Sequence, residues 1–154
     1  MNLTIFTLSD KDYGIDIEQV LQVIRMRPVV PIPNTKPYVE GVISLRGKVM
    51  PIVNLRKKLG LKDTGLKKYD RIIITRSGDH VLGVVVDKVV GVIKVDPGAI
   101  SSPDEILRGA DYLMGVTKMD KKLVLVADVE KMFSAEDKND LKKVRNNVQI
   151  RKRD

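Results

Sequence analysis

Short runs rich in valine and isoleucine, separated by turn-forming residues, recur along the 154-residue chain. The runs at 3–8, 40–45, 48–53, 71–76, 80–86, 92–95, 112–118 and 122–127 are too short for buried helices. Each predicts a β-strand. Ser77-Gly78-Asp79 lies between two of them and predicts a hairpin turn, with glycine supplying the backbone freedom. Asn54 before LRKKLG and Asp128 before VEKMF predict N-caps of two short helices, the first closed by Gly60. Val20, Val23 and Ile24 share one face at helical spacing, which predicts a helix over 17–24. Prolines at 28, 31, 33 and 37 predict an extended connector.

The pattern occurs twice. Residues 5–26 align without gaps on 74–95, matching Gly14 to Gly83, Val20 to Val89, Val23 to Val92 and Ile24 to Ile93. Residues 38–59 align on 112–133, matching Tyr38 to Tyr112, Gly41 to Gly115 and Lys48 to Lys122. The offset grows from 69 to 74 between the blocks, so the second copy is longer in its middle. Many short strands in two similar halves imply a mainly β chain folded as two packed barrels with a groove between them. The halves fall at about 1–66 and 67–134. The sequence leaves open which strand joins which barrel.

Charge adds little to this picture. The net charge is +8, of which the polar tail at 135–154 supplies +3. The tail interrupts a faint apolar spacing with Asn146-Asn147, which predicts a frayed or disordered end. A surplus of this size makes a basic β-barrel that binds nucleic acid the alternative function, but no basic-aromatic ladder accompanies it. No apolar run approaches the ~20 residues of a bilayer span, and the N-terminus has no basic leader; the expected location is the cytoplasm.

Candidate chemistry is sparse. There is no cysteine, hence no disulfide frame or thiolate metal site. The single histidine, His80, falls in a predicted strand beside a turn, where a surface role is the ordinary one. Gly41 to Lys48 approaches a phosphate-binding loop, but five residues separate its glycines where four are needed, and Val49 follows the lysine where Ser or Thr would bind magnesium. No pair of carboxylates and no nucleophile–base set is singled out. The expectation is a protein without catalysis and without a cofactor or metal.

The stretches YGIDIEQVLQVI, PNTKPYVEGVISLRGKVMPIVNLRKKLGL, HVLGVVVDKVVGVIKV and YLMGVTKMDKKLVLVADVEKMF resemble successive signatures of the CheW-type chemotaxis coupling proteins. The likeness covers about residues 3–134 and is sharpest at GVISLRGKVMPIVNLR. It implies a CheW-like domain of two five-stranded SH3-like β-barrels. It also implies an adaptor that joins the cytoplasmic tips of transmembrane, methyl-accepting chemoreceptors to the regulatory domain of a CheA-type histidine kinase, with membrane association only through the receptors. Two binding faces are then required. Val20 and Val23 with their repeat mates Val89 and Val92 are the candidates for a groove lined from both halves. Arg46 matches the family arginine of the SLRG stretch that influences receptor coupling. Gln22 stands where the family often carries an acidic residue, so an Arg46–Gln22 salt bridge is not available. Ser44 replaces the family asparagine. Gly41 and Gly47 are read as backbone requirements and not as recognition.

Overall fold

The computed structural model describes residues 1–102 and 110–153, with side chains described as far as 146. Ten strands run in chain order: β1 (Asn2–Leu8), β2 (Lys11–Asp16), β3 (Val20–Arg25), β4 (Val39–Leu45), β5 (Lys48–Asn54), β6 (Arg71–Ser77), β7 (His80–Val86), β8 (Lys88–Lys94), β9 (Leu113–Met119) and β10 (Lys122–Ala127). Helices α1 (Leu55–Lys58), α2 (Val129–Met132) and α3 (Ala135–Arg153) complete it. Adding 69 to the bounds of β1 gives those of β6, and adding 74 to those of β4 and α1 gives those of β9 and α2. The repeat in the sequence is therefore a repeat of structure.

The strands form two five-stranded sheets, and neither belongs to one half. Sheet 1 has the order β8-β1-β2-β10-β9, and sheet 2 the order β3-β6-β7-β5-β4. In both, the central contact is parallel: Val126 pairs with Gly14, and its repeat mate Ile52 with Gly83. All other ladders are antiparallel. Each sheet curls SH3-like around its own core, and among the described residues no ladder closes the ring. Leu3, Ile5, Val95, Val124 and Val126 fill sheet 1; Ile24, Ile43, Ile52, Ile72 and Val85 are among those filling sheet 2. A third, larger core lies between the sheets. Phe6, Leu8, Tyr13 and Ala127 meet Val53, Ile73, Leu82 and Val84 there, and Phe6 stacks on Tyr13 at 5.6 Å between centroids. Strands that are apolar on both faces at this seam explain the continuous apolar run of β7.

Two glycines make the sheet edges possible. Gly41 has φ +145°, and a Cβ there would lie 2.0 Å from the Val30 carbonyl oxygen. Its mate Gly115 would bring a Cβ 2.3 Å from the Ser101 carbonyl oxygen. At both places the connector bridges to the next residue of the strand, Val30 to Val42 and Ser101 to Val116. Only a residue without a side chain admits that approach. The proline-bearing connector is thus a strand-edge neighbour, fixed at Val30.

Three elements differ from the sequence expectation. Residues 17–24 are not a helix: Ile17–Gln19 make one 3-10 turn capped by Asp16, and β3 follows. The apolar spacing that suggested a helix also alternates, with Ile24 buried and Leu21, Val23 and Arg25 exposed. The ladder to β6 and the branched side chains decide for strand. Strand β2 is an addition; its Asp12 and Gly14 weaken the local signal, yet it is held on both sides by β1 and β10. The tail, finally, is helix α3, and its first half docks. Ser134 and Asp137 exchange bonds between backbone N–H and side-chain oxygen at 3.0 Å, a capping box at the start. Leu141 enters the core between the sheets, and Val144 covers Val42 and Val49. Leu141 and Val144, three apart, seat the helix together with the Tyr38–Asp137 hydrogen bond and the ion pairs to Lys36 and Lys58.

Candidate functional site: the paired edge strands

Strands β3 and β8 are repeat mates, and each is the edge of its sheet. An edge strand keeps one row of backbone groups unpaired and presents one row of side chains outward. Val20 on β3 and Val89 on β8 are half-buried against the shared core between the sheets. Val23 and Val92 are exposed, at 39% and 55%, and fall outside every buried cluster. Leu21 and Val90 are exposed beside them. The fold therefore joins Val20 to Val89 through one core and leaves Val23 and Val92 on two outward faces.

Gln22 is half-buried, opposite Ile74 in the ladder. Arg46 stands in the two-residue β4–β5 turn, where Arg46 at φ +53° and Gly47 at φ +78° give the left-handed pair that a tight hairpin requires. The glycine expectation at 41 and 47 thus has its backbone cause. The Arg46 guanidinium is exposed and makes no hydrogen bond or ion pair among the described residues. It projects from the end of sheet 2 where β3 finishes, since Arg27 donates from Nη1 to the Ser44 carbonyl at 3.1 Å. His80 is half-buried at the turn next to Ser77.

The residues that hold the two sheets together escaped the sequence reading. Arg56, on α1, is buried and pairs with Asp87, between β7 and β8, and with Asp70 at 3.7 Å. Asp87 also accepts from the Ser9 N–H at the tip of the β1–β2 hairpin, 2.9 Å away. Beside it, Asn54 caps α1 and donates to Glu40 and Asp63, which in turn hold Lys57. The Glu40 hydrogen bond pushes Lys57 up from its ordinary value against a smaller opposing effect of burial. The Gly65 N–H bond, with lesser help from Asn54 and Lys57, holds Asp63 below its own. Gln19 bonds Asp128 at 3.0 Å and accepts from Val129, tying the 3-10 turn to the cap of α2. Three or more metal-ligating residues are nowhere grouped among the described residues. These are positioning contacts: the Asn54 group stays on the sheet 2 side, whereas the Ser9–Asp87 and Gln19–Asp128 bonds reach sheet 1 beside the core that the two sheets share.

The chain matches the CheW-like domain model over residues 2–137. It belongs to the CheW-like family. The chemotaxis protein CheW of Treponema pallidum is 33% identical over 141 residues, spanning 88% of this chain and 83% of that one. CheW of Klebsiella aerogenes is 32% identical across 86% of this chain and 81% of its own length. Protein FrzA of Myxococcus xanthus is 31% identical across 73% and 71%. The crystal structure of the scaffolding protein TtCheW from Thermoanaerobacter tengcongensis superposes with a TM-score of 0.81 at 31% identity, covering 89% of this chain and 94% of that one. The mainly β architecture of two five-stranded SH3-like sheets is that of the family. These relatives point to a chemotaxis adaptor. No helix among the described residues is long and apolar enough to cross a membrane.

Proposed function

We propose that this protein is a non-catalytic adaptor that couples transmembrane chemoreceptors to the CheA histidine kinase in receptor arrays. In this reading it works in the cytoplasm, reaches the membrane only through the receptors and needs no cofactor. The observation that carries it is the pair of edge strands β3 and β8, which expose Leu21, Val23, Val90 and Val92 at related places in the two halves. An adaptor needs two faces, and apolar side chains beside unpaired strand edges suit transient protein contacts. The names of the relatives, chemotaxis and scaffolding proteins, support the same reading. Val20, Gln22, Val23, Arg46, Val89 and Val92 are the contact residues in this proposal, with Arg46 free to meet a carboxylate of the receptor hairpin.

The test is calorimetry of the full chain against the CheA regulatory domain and against a soluble fragment of the receptor tip. Saturable one-to-one binding is expected for both, with receptor binding lowered by Arg46→Ala and by Val92→Asp. Absence of binding to the kinase domain at high micromolar concentration overturns the adaptor reading. Kinase binding with receptor binding untouched by either variant overturns the residue assignment alone.

A further inference from the structure

Helix α3 has two ends of opposite charge. Its acids, Glu136, Asp137 and Asp140, all fall in the first half, and docking engages them: Asp137 meets Lys58 at 3.3 Å, and Glu136 and Asp140 meet Lys36 at 3.5 and 3.9 Å. From Leu141 to Arg153 the sequence holds six lysines and arginines and no carboxylate. Lys142, Lys143 and Arg145, the three of these whose side chains are described, have no ion-pair partner among the described residues.

The packing shows where the basic end goes. Asp137 lies at Lys58, just past the end of β5, whereas Val144 covers Val49, near its start. The helix therefore runs antiparallel to β5, toward the β4–β5 turn. From Val49 to Gly47 the strand covers about 7 Å. Residues 148–153 carry the helix roughly 6–14 Å beyond Val144. Its end thus reaches the turn and overhangs it. Arg46 and Lys48 stand there, exposed and without an ion-pair partner among the described residues. The neighbouring β6–β7 turn holds two acids, Asp79 and Glu130, and Glu130 is bonded to the Gly78 N–H. Bases outnumber acids at this end of sheet 2.

Composition narrows what this surface takes. Residues 134–154 contain no aromatic side chain. Helices that lie in a membrane surface anchor through an apolar, aromatic-bearing face, and here Leu141 and Val144 are turned to the barrel. Single-stranded nucleic acid is gripped by aromatic stacking, for which nothing is provided. Carboxylates on a folded partner need neither, only exposed positive charge.

We infer that the basic end of α3 and the Arg46 turn form one continuous contact surface, and that this surface takes an acidic protein flank, that of the receptor hairpin whose tip meets Arg46. The inference rests on the adaptor reading above. Arg46 fixes where the hairpin sits. The overhanging helix end adds attraction at longer range and discriminates between receptors by the charge of their flanks.

The experiment is calorimetry of the full chain against the soluble receptor-tip fragment, at low and at moderate salt. The variant combines Arg151→Glu, Lys152→Glu and Arg153→Glu, all beyond the docked half of α3. Its affinity for the tip is expected to fall about tenfold, with binding to the CheA regulatory domain and amide exchange over 135–146 unchanged. Added salt is expected to weaken the wild type more steeply than the variant. Arg151→Lys with Arg153→Lys keeps the wild-type affinity, because charge and not guanidinium geometry is required. Unchanged tip affinity in the glutamate variant overturns this inference and leaves the adaptor reading standing; a wild-type chain that binds no tip overturns both. Loss of affinity together with faster exchange over 135–146 assigns the effect to undocking of α3 and overturns the inference. So does a variant altered only in binding duplex DNA or vesicles of anionic phospholipid.

Discussion

Arg56 and Glu130 occupy the same place in the two halves, carry opposite charges, and each ties its helix to the opposite sheet. Glu130, on α2 after β10 of sheet 1, accepts directly from the Gly78 N–H at the β6–β7 turn of sheet 2, 2.8 Å away. Arg56, on α1 behind sheet 2, cannot accept from the corresponding Ser9 N–H. Asp87 stands between them, accepting from both. One strap is a single exposed hydrogen bond; the other is a charge relay that runs from the buried Arg56 to the half-buried Asp87.

The two straps therefore differ in strength. Arg56→Met leaves Asp70, 1% exposed, without its counter-ion, and the expected loss of unfolding free energy is about 3–5 kcal/mol. Glu130→Ala removes a solvent-exposed bond and costs about 1 kcal/mol or less. Urea titrations of both variants check the contrast; comparable losses refute the relay.

Gly41→Ala places a Cβ against backbone, which cannot move aside as a side-chain tip can. Destabilisation of about 2–4 kcal/mol is expected. Gly47→Ala meets open space and bears only the left-handed backbone penalty, about 1 kcal/mol. Thermal melts of the pair decide whether close approach or turn geometry dominates.

Acid should loosen α3. Burial raises the Asp137 carboxyl, but hydrogen bonds from Tyr38 and Ser134 and the nearby Lys58 outweigh it and hold the group down to about 2, against 3.8 unperturbed. A carboxyl depressed on folding contributes stability that is complete above its unfolded value and is lost as the pH falls through the folded one. The docked helix thus weakens between about pH 4 and pH 2. Amide exchange over 135–146 should rise in that window in the wild type, and Asp137→Asn should show the weaker docking already at neutral pH. A variant that retains the wild-type profile removes Asp137 from the docking contact.

Val20 and Val92 separate packing from surface. Val92→Asp should leave the unfolding transition within about 0.5 kcal/mol, because Val92 is more than half exposed. Val20→Asp puts a carboxylate against the core between the sheets and should cost about 2 kcal/mol. Equal melting of the two proteins would show that Val20 does not support that core.

Most of the fold was legible because the period of two survives wherever one face is buried and because the chain repeats itself. The hairpin at Gly78 and the caps Asn54 and Asp128 follow from local chemistry, and they stand where that chemistry puts them. Residues 17–24 misled because Val20, Val23 and Ile24 satisfy two periods at once, and only the partner strand chooses between them. Helix α3 was hidden by its polarity: its seating depends on Val42 and Val49, about a hundred residues earlier in the chain. Among the site residues, edge exposure at Val23 and Val92 could not be separated from burial at Val20 and Val89, since all four are valines in matching contexts. The Arg56 relay joins residues from three separate segments and leaves no motif.

The connections between the sheets are very short. A 3-10 turn of three residues separates β2 in sheet 1 from β3 in sheet 2, and Asp87 alone separates β7 in sheet 2 from β8 in sheet 1. Load applied to either barrel passes into the other along two covalent threads placed at symmetry-related points, with no slack to take up. Such a molecule serves as a stiff strut: a tilt imposed at one end arrives at the other as a tilt, undamped by any hinge.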